Sequence, residues 1–341
     1  MGVNIARFYR RERLQFDCEI VTPMFLGNSR QEAELRAAPF KGLLRYWWRV
    51  ANGYKYADHK ELLTAENKIF GSADESGGKS RVTVAVEGVS GMRPQKDNFQ
   101  NPGNVPHPEC EKTHKQTNPL NYLAGMGLIH YRNGILHSYF PVGDHFRLVI
   151  EADYDAVQEV KSALSLFAGF AAVGSRSRNA WGCLFVNMAP PSLTKSVDWS
   201  TAMNRDYPHC IGQDPRGALL WKTKTPQADW KACMRDLADT YIKIRTSLNV
   251  VNGSPPERHL LGYPVTNHNY GPWGKQGRHG SALRLIVRRE GDVHRGYILH
   301  LPHRYSEKMW LGNPQRQIDI WRKVHANLDK LCPRAQYSEV Q

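Results

Sequence analysis

The chain has 341 residues, enough for two or three domains of ~100–200 residues, each with its own buried core. It carries 46 Lys and Arg against 32 Asp and Glu, a formal net charge of +14, so an anionic partner is the first expectation. A composition of 41% hydrophobic and 10% aromatic residues excludes a disordered basic tail protein. The positive charge must therefore lie on folded surfaces.

The sequence gives no sign of a membrane or secretory destination. Its longest nearly uncharged apolar stretch, Leu164 to Gly174, is well short of the ~20 residues that a membrane-spanning helix needs. The first sixteen residues lack the apolar core of a signal peptide, and Ala6 stands where a myristoylation motif needs Ser or Thr. Six scattered cysteines without a CxxC pair indicate reduced thiols. The sequence therefore predicts a cytoplasmic protein.

The first part of the chain predicts one α+β domain. Hydrophobic periodicity indicates strands at 14–20, 82–86, 145–152 and 183–187, and helices at 40–52, 59–70 and 157–171. Residues 88–121 are rich in Pro, Gly and Asn and show neither period, which indicates an irregular insertion. Without insertions the order is β-α-β-β-α-β, the ferredoxin-like arrangement with two helices on one face of an antiparallel sheet.

The same order restarts after Pro190 and Pro191 and lacks its final strand. Strands are predicted at 218–224, 283–287 and 297–301, and helices at 230–244 and 318–331. The predicted fold is therefore α+β, with two tandem ferredoxin-like (RRM-like, βαββαβ) domains with insertions, over residues 1–190 and 191–341. Most of the excess positive charge falls in the second domain.

A basic stripe follows one face of the 40–52 helix. Lys41, Arg45 and Arg49 lie at i, i+4 and i+8, with Trp48 among them and the apolar residues on the opposite arc. Three like charges in a row repel, so an anion or solvent must screen them. RNA phosphate with a base stacked on Trp48 is one interpretation, and a solvated face with Trp48 against a neighbouring domain is the other.

The turn Gly174–Gly182 (GSRSRNAWG) can cradle a phosphate. It combines backbone N–H groups and two hydroxyls with Arg176 and Arg178, whose planar guanidiniums can each engage two phosphate oxygens. A helix C-terminal turn that needs glycine and answers the helix dipole is the alternative. We favour phosphate binding because the alternative does not require two arginines and two serines together.

Three potential zinc ligands, His107, Cys110 and His114, lie in the irregular insertion, where a metal could supply order. No fourth ligand stands nearby in the sequence, so an ordinary polar loop is favoured and the three stay weak candidates. We expect neither a metal nor another cofactor.

No Walker, HExxH, GxSxG or paired-carboxylate signature is present, so the sequence supports no nucleotide hydrolase, metalloprotease or triad enzyme. A metal-free ribonuclease needs only one His or Tyr near a ribose 2′-hydroxyl. His130, His137, His300 or His303 could serve, and the sequence singles out none of them. We expect no catalytic residue.

Several blocks that together span most of the chain resemble the RAMP superfamily. They are TPMFLG (22–27), AELR (33–36), FKGLLRYWWR (40–49), ENKIFG (66–71), GSRSRNAWG (174–182), RHLLGYP (258–264) and GRHGSAL (277–283). The match resembles most the first RAMP subunit of type III-B CRISPR (Cmr) effector complexes. The family's turn ends in Arg-x-Gly-Phe, whereas this one ends in Arg178-Asn179-Ala180-Trp181, and fewer glycines make a stiffer turn.

The resemblance implies a non-catalytic subunit of a crRNA-guided antiviral ribonucleoprotein. Such a subunit lies toward the crRNA 3′ end beside other RAMP subunits and holds crRNA and target RNA by the backbone, while base pairing reads the sequence. The rival hypotheses are a metal-independent RAMP endoribonuclease that processes crRNA precursors and a scaffold for acidic proteins. The expected RNA-binding residues are Lys41, Arg45, Trp48, Arg49, Arg176, Ser177, Arg178, Trp181, Arg258 and Arg278.

Overall fold

The computed structural model describes residues 11–72, 78–189, 195–250, 255–265, 268, 270–274, 277–305, 307–310 and 313–340. Residues 1–10, where the sequence predicts no signal peptide, and the predicted boundary at Pro190 and Pro191 lie outside them. The described chain mixes helices with several small sheets, so the predicted α+β class is confirmed. None of its helices is long and apolar enough to cross a membrane. All six cysteines are free thiols.

The first half contains the predicted strands and helices plus a structured insertion. Its elements are β1 (Arg11–Ile20), α1 (Ala37–Asn52), α2 (His59–Phe70), β2 (Val82–Glu87), β3 (Val105–Pro106), β4 (Gln116–Thr117), α3 (Pro119–Ala124), β5 (Ile129–His130), β6 (Gly134–Ile135), β7 (His145–Asp153), α4 (Val157–Phe170) and β8 (Leu184–Val186). Four of the strands form an antiparallel sheet in the order β2-β7-β1-β8. Helices α1 and α4 pack against each other beside this sheet. The predicted order of elements in this half is confirmed.

The insertion between β2 and β7 consists of two short hairpins, β3-β4 and β5-β6, with α3 between them. Asn118 starts α3, because its side chain accepts hydrogen bonds from the backbone N–H groups of Leu120 and Asn121, and Pro119 occupies the first turn. The hairpin strands are two residues long, too short to show a period in the sequence.

The second half restarts the pattern. Its elements are β9 (Val197–Asp198), α5 (Trp199–Ala202), β10 (Gly212–Asp214), β11 (Gly217–Ala218), β12 (Leu220–Lys222), α6 (Trp230–Thr246), β13 (Leu283–Glu290), β14 (Val293–His300), α7 (Glu307–Trp310) and α8 (Pro314–Leu331). Its main sheet has three antiparallel strands in the order β12-β14-β13. Residues 333–335 run along the other edge of β12, where Lys222 N donates to Pro333 O and Ala335 N donates to Leu220 O, both at 3.0 Å. This short segment thus extends the sheet edge by backbone hydrogen bonds without forming a strand.

Strand β13 joins the two halves through the backbone of the basic turn. Ala180 N donates to Leu285 O at 3.0 Å, and Leu285 N donates to Arg178 O at 2.9 Å. The backbone N–H of Val287 donates to the Cys183 Sγ at 3.3 Å. The turn after α4 is therefore held from both sides, by its own domain and by the second sheet.

Arg288 of β13 crosses the seam between the halves and is fully buried. Its guanidinium donates to the carbonyls of Gly169 at 2.7 Å, Leu184 at 3.1 Å and Ala171 at 3.3 Å. Two of these carbonyls lie at the C-terminal end of α4, where the helix dipole favours a cation. Burial lowers the pKa of Arg288 to about 10, so the group remains a cation at neutral pH.

Candidate nucleic-acid interface

The turn Gly174–Gly182 depends on left-handed backbone positions. Gly174 and Gly182 have φ of +95° and +69°, and a Cβ at either would collide with the backbone carbonyl of Phe25 or Val173. Arg176 and Ala180 adopt φ of +57° and +65° although neither is glycine. This backbone directs the side chains of residues 175–178 outward while Ala180 packs inward.

The turn forms one wall of a cleft of about 920 Å³ between the two halves. Three blocks that are far apart in the sequence meet there, namely the basic turn, the RHLLGYP block and the GRHGSAL block. The remaining walls come from residues 117–131 of the insertion, and from Tyr241 and Arg245 of α6. The structure therefore brings together Arg176, Ser177, Arg178 and Arg278 from the predicted set.

The cleft is strongly electropositive. Arg176, Arg178, Arg245 and Arg278 line it, and its described lining residues include no carboxylate. Positive charges in a concave surface focus the potential and attract anions. Arg176 and Arg178 lie close against Gly125 and Gly280, where an added Cβ would collide with their guanidiniums. Because these two residues lack a Cβ, they leave space for the guanidiniums of Arg176 and Arg178.

Apolar and aromatic side chains accompany the arginines. Tyr131 and Met126 are 68% and 63% exposed, and both line the cleft. Deeper in the cleft, the Arg245 guanidinium lies 5.5 Å from the ring centre of Tyr241, and the ring centres of Tyr122 and Tyr241 are 6.5 Å apart. Exposed rings beside cations are typical of surfaces that bind single-stranded nucleic acid.

Sequence reasoning missed Tyr131, Met126 and Arg245. The first two lie between β2 and β7 beyond residue 121, where the predicted insertion ends, and Arg245 lies one residue beyond the helix predicted at 230–244. A signal was present, because Met126 stands between Gly125 and Gly127, and a Met without apolar neighbours in the sequence is an exposed-surface candidate.

Both tryptophans of the expected RNA-binding set, Trp48 and Trp181, are fully buried, so the interpretation that a base stacks on Trp48 is wrong and Trp181 offers no face to RNA. Trp48 lies in the core of the first half, and its indole N–H donates to Glu159 Oε2 of α4 at 3.1 Å. Trp181 packs with its ring centre 5.3 Å from that of Phe25 and 6.2 Å from that of Trp230. Trp181 supports the basic turn from below instead of offering a face to RNA.

The basic stripe of α1 lies outside the cleft lining, and a buried carboxylate forms ion pairs with two of its arginines. Glu66 of α2 accepts a hydrogen bond from Arg45 Nε at 2.6 Å, and Arg49 Nη1 lies 2.9 Å from both of its carboxylate oxygens. Lys41 Nζ donates to Ser80 Oγ at 2.8 Å. The like charges of the stripe are therefore offset within the fold, and the ENKIFG block supplies the compensating group.

Arg258 does not line the cleft, so the structure does not bring it together with the other expected RNA-binding arginines. It is 3% exposed, and its guanidinium forms a bidentate ion pair with Glu109 of the insertion, with both N–O distances at 2.7 Å. The Arg258 guanidinium in turn lowers the pKa of Glu109. Glu109, which is 149 residues away in the sequence, thus neutralises the guanidinium that the sequence analysis expects at the surface.

The weak zinc candidates do not converge. Among the described residues no group of three or more His, Cys, Asp or Glu is placed to hold a metal ion. Backbone hydrogen bonds close the loop instead, since Lys115 N donates to Cys110 O at 3.0 Å and His107 N donates to Lys115 O at 2.7 Å. The His107 ring contacts Tyr122.

None of the four histidines considered for catalysis lines the cleft: His130, His137, His300 and His303. The last two are buried in the second half, where neither can reach a ribose. The histidine that does line the described cleft is His279, whose ring stacks on Tyr305 with centres 3.9 Å apart. Burial lowers the pKa of His279 to about 4, and both of its ring nitrogen atoms are buried.

Comparison with known proteins agrees with the family resemblance. Residues 17–184 match the sequence model of the RAMP superfamily. The chain is 29% identical over 195 residues to CRISPR system Cmr subunit Cmr1-1 of Pyrococcus furiosus, which covers 56% of this chain and 52% of that protein. It is 40% identical over 74 residues to subunit Cmr1-2 of the same organism, covering 21% of this chain and 38% of that protein. The matched regions thus span about half or less of these curated relatives.

The fold is similar to a solved structure as well. The crystal structure of Cmr1 from Pyrococcus furiosus in its apo form superposes with a TM-score of 0.51 at 18% identity, over 84% of this chain and 87% of that one. The matched family region, residues 17–184, contains both the specific α1 block and the basic turn of the cleft. We conclude that residues 17–184, about half of the chain, carry the sequence pattern of the RAMP superfamily.

Proposed function

We propose that this chain is a non-catalytic RNA-binding subunit of a type III-B CRISPR effector complex. In this proposal it holds the crRNA and target RNA backbone toward the crRNA 3′ end, beside other RAMP subunits in a cytoplasmic antiviral ribonucleoprotein. The observation that carries the proposal is the cleft, which Arg176, Arg178, Arg245 and Arg278 line without a described carboxylate. The similarity to Cmr subunits supports it.

The chemistry of the cleft suits a sugar–phosphate backbone. Guanidinium forks pair with two phosphate oxygens at once and keep their charge at any physiological pH. Within the described residues neither Arg176 nor Arg178 forms an ion pair with a carboxylate. The Ser177 hydroxyl lies between them on the same turn. Tyr131 on the rim adds a ring on which any base can stack, so binding does not depend on sequence.

The fold belongs to the same proposal. We infer two tandem ferredoxin-like domains, over 1–190 and 191–341. In the first sheet the four strands lie in the order fourth-first-third-second, as this arrangement requires. In the second sheet the order is first-third-second, and residues 333–335 lie where the fourth strand would be.

The histidines support a role in binding over a role in cleavage. A general base must reach the 2′-hydroxyl and accept its proton, which is most effective when the pKa of the base lies near neutral pH. His279 lines the cleft, but its ring nitrogen atoms are buried and its pKa is lowered to about 4. Tyr131 is exposed on the cleft rim, and the RNA-integrity measurement in EDTA described below tests it as the base of the alternative, a metal-independent endoribonuclease.

The test is binding of labelled single-stranded RNA to the full chain in EDTA across a salt series. Arg176→Gln, Arg178→Gln and Arg278→Gln should each weaken binding several-fold and reduce the salt slope by about 0.7 for every phosphate that is no longer neutralised. Arg322→Gln is the matched control, because Arg322 is exposed on α8 and pairs with Asp319 outside the cleft lining.

Unchanged binding in all three cleft variants, or an equal decrease in the control, would contradict the proposal. RNA cleaved in EDTA would instead favour the endoribonuclease.

A further inference from the structure

One wall of the cleft belongs to the first half in sequence but rests on the second half in space. Helix α3 and the short strand β3, both within the insertion, pack against α6. The Tyr122 ring contacts Tyr241 of α6, and Asn179 of the basic turn donates a hydrogen bond to Leu123 O at 2.9 Å. The shape of the cleft therefore depends on how the insertion is fastened to the second half.

A charged contact in this fastening is the ion pair of Glu109 and Arg258. Arg258 Nη1 and Nη2 each lie 2.7 Å from one oxygen of the Glu109 carboxylate, so the pair is bidentate and its geometry is fixed. Arg258 Nη2 also donates to Leu248 O at 3.3 Å, two residues beyond the end of α6. One guanidinium thus ties the insertion to the end of α6.

Neither residue of the pair lines the cleft, but both lead directly into its walls. Glu109 lies in the β3-β4 hairpin, which ends at Thr117 on the cleft surface. Arg258 lies in the 3₁₀ segment Glu257–Leu261, whose last residue begins the lining run 261–265. Movement at this ion pair would displace these two walls relative to each other.

We propose that Glu109 and Arg258 are positioning residues that set the RNA affinity of the cleft without touching RNA. The inference rests on the proposed function of the cleft. Arg258 is buried whereas the Glu109 side chain is 36% exposed, so Glu109→Gln leaves a buried guanidinium without its partner. That cation must move toward water, and the wall moves with it. Removing both charges relieves the unpaired group but still releases the insertion.

A direct contact and a positioning role predict different results. For a positioning role, Glu109→Gln and Arg258→Gln each weaken RNA binding by about tenfold, and the double variant is no weaker than the worse single one. The salt slope stays at the wild-type value, because the number of neutralised phosphates is unchanged. If Arg258 bound phosphate, Glu109→Gln would free it and maintain or tighten binding, and only Arg258→Gln would weaken binding and reduce the slope.

Hydrogen exchange of residues 117–131 gives a second readout that needs no RNA. Both single variants should speed exchange in this segment, because the wall is released. Arg258→Lys, which keeps the charge but lacks the bidentate geometry, should fall between wild type and Arg258→Gln. Melting temperatures establish that each variant is folded.

Lys323→Gln is the matched control. It breaks the ion pair of Glu257, the neighbour of Arg258 on the same 3₁₀ segment, at a site outside the cleft lining. It should leave both RNA affinity and exchange unchanged.

If residues 117–131 exchange hydrogen at the wild-type rate in Glu109→Gln, the positioning role is overturned, whether or not the protein binds RNA. If exchange in this segment is faster in the variant but the wild-type protein shows no salt-dependent RNA binding, only the proposed function is overturned.

Discussion

The buried carboxylate beneath the α1 stripe gives the sharpest stability prediction. Glu66 is 1% exposed and lies between two guanidiniums whose side chains are about one-third exposed, Arg45 and Arg49. Three hydrogen bonds of 2.6–2.9 Å join it to them. Replacing Glu66 with the isosteric glutamine removes the negative charge and leaves two cations side by side.

The magnitude follows from the exposure of each partner. A hydrogen bond to a charged group contributes about 1.5–3 kcal/mol, and breaking a buried pair costs about 3–5 kcal/mol. Water screens the partly exposed arginines and reduces these values. We therefore expect Glu66→Gln to lower the free energy of unfolding by about 2 kcal/mol. The double variant Arg45→Gln/Arg49→Gln strands the carboxylate itself and should lower it by about 4 kcal/mol.

Urea denaturation measures both effects, and an unchanged m value shows that the unfolded state is the same. Lys68→Gln on the exposed side of α2 is the matched control and should stay within about 0.5 kcal/mol of wild type. RNA binding adds a second test. Because the stripe lies outside the cleft lining, Glu66→Gln should bind RNA as wild type does.

Two results would refute this reasoning. An unfolding free energy for Glu66→Gln equal to that of wild type would mean that the cluster does not stabilise the fold. Tighter RNA binding by Glu66→Gln would mean that the freed arginines reach phosphate.

The remaining predictions concern the turn, a buried histidine pair and the seam. Gly174→Ala should lower the free energy of unfolding in urea by at least ~2 kcal/mol, because its φ of +95° strains any side chain and the new Cβ meets a backbone carbonyl. Ala180→Gly should stay within about 1 kcal/mol of wild type, since relief of the left-handed strain offsets the removal of a buried methyl and greater chain entropy. Burial lowers the pKa of His325 from 6.5 to about 3, so on acidification the unfolded chain binds a proton at this site before the folded chain does. The free energy of unfolding should therefore fall as the pH drops below 6.5, by up to ~1.4 kcal/mol per pH unit. Denaturation at pH 7 and pH 5 should show a smaller loss of stability for His325→Leu than for wild type. Arg288→Met should lower the free energy of unfolding by about 3 kcal/mol in the same assay, because three buried carbonyls are left without their donor.

The parts of this molecule that depend on local chemistry were predictable from the sequence. Helix α2 runs from His59 to Phe70 and ends at Gly71, as its periodicity and its glycine indicate. The basic turn places Arg176, Ser177 and Arg178 at a surface cleft because their spacing between two glycines fixes the backbone.

The parts that depend on distant partners were not predictable. A helical wheel gives the angle of Trp48 around α1 but not which neighbouring helix covers that angle. The charge of Arg258 predicts a surface position, whereas the structure pairs it with Glu109 of the insertion. Nothing in the local sequence reveals that pairing. Tyr131 follows a two-residue strand, which is too short to show a hydrophobic period.

The arginine at the seam has a consequence for how the cleft meets its ligand. Arg288 is enclosed by three carbonyls from the other half, so a hinge motion between the halves would strand a cation and three acceptors at once. The backbone of the basic turn and the second-half wall of the cleft are consequently held at a fixed distance before an anion binds. The entropy of arranging them is lost when the chain folds, and association can then approach the rate set by electrostatic steering alone.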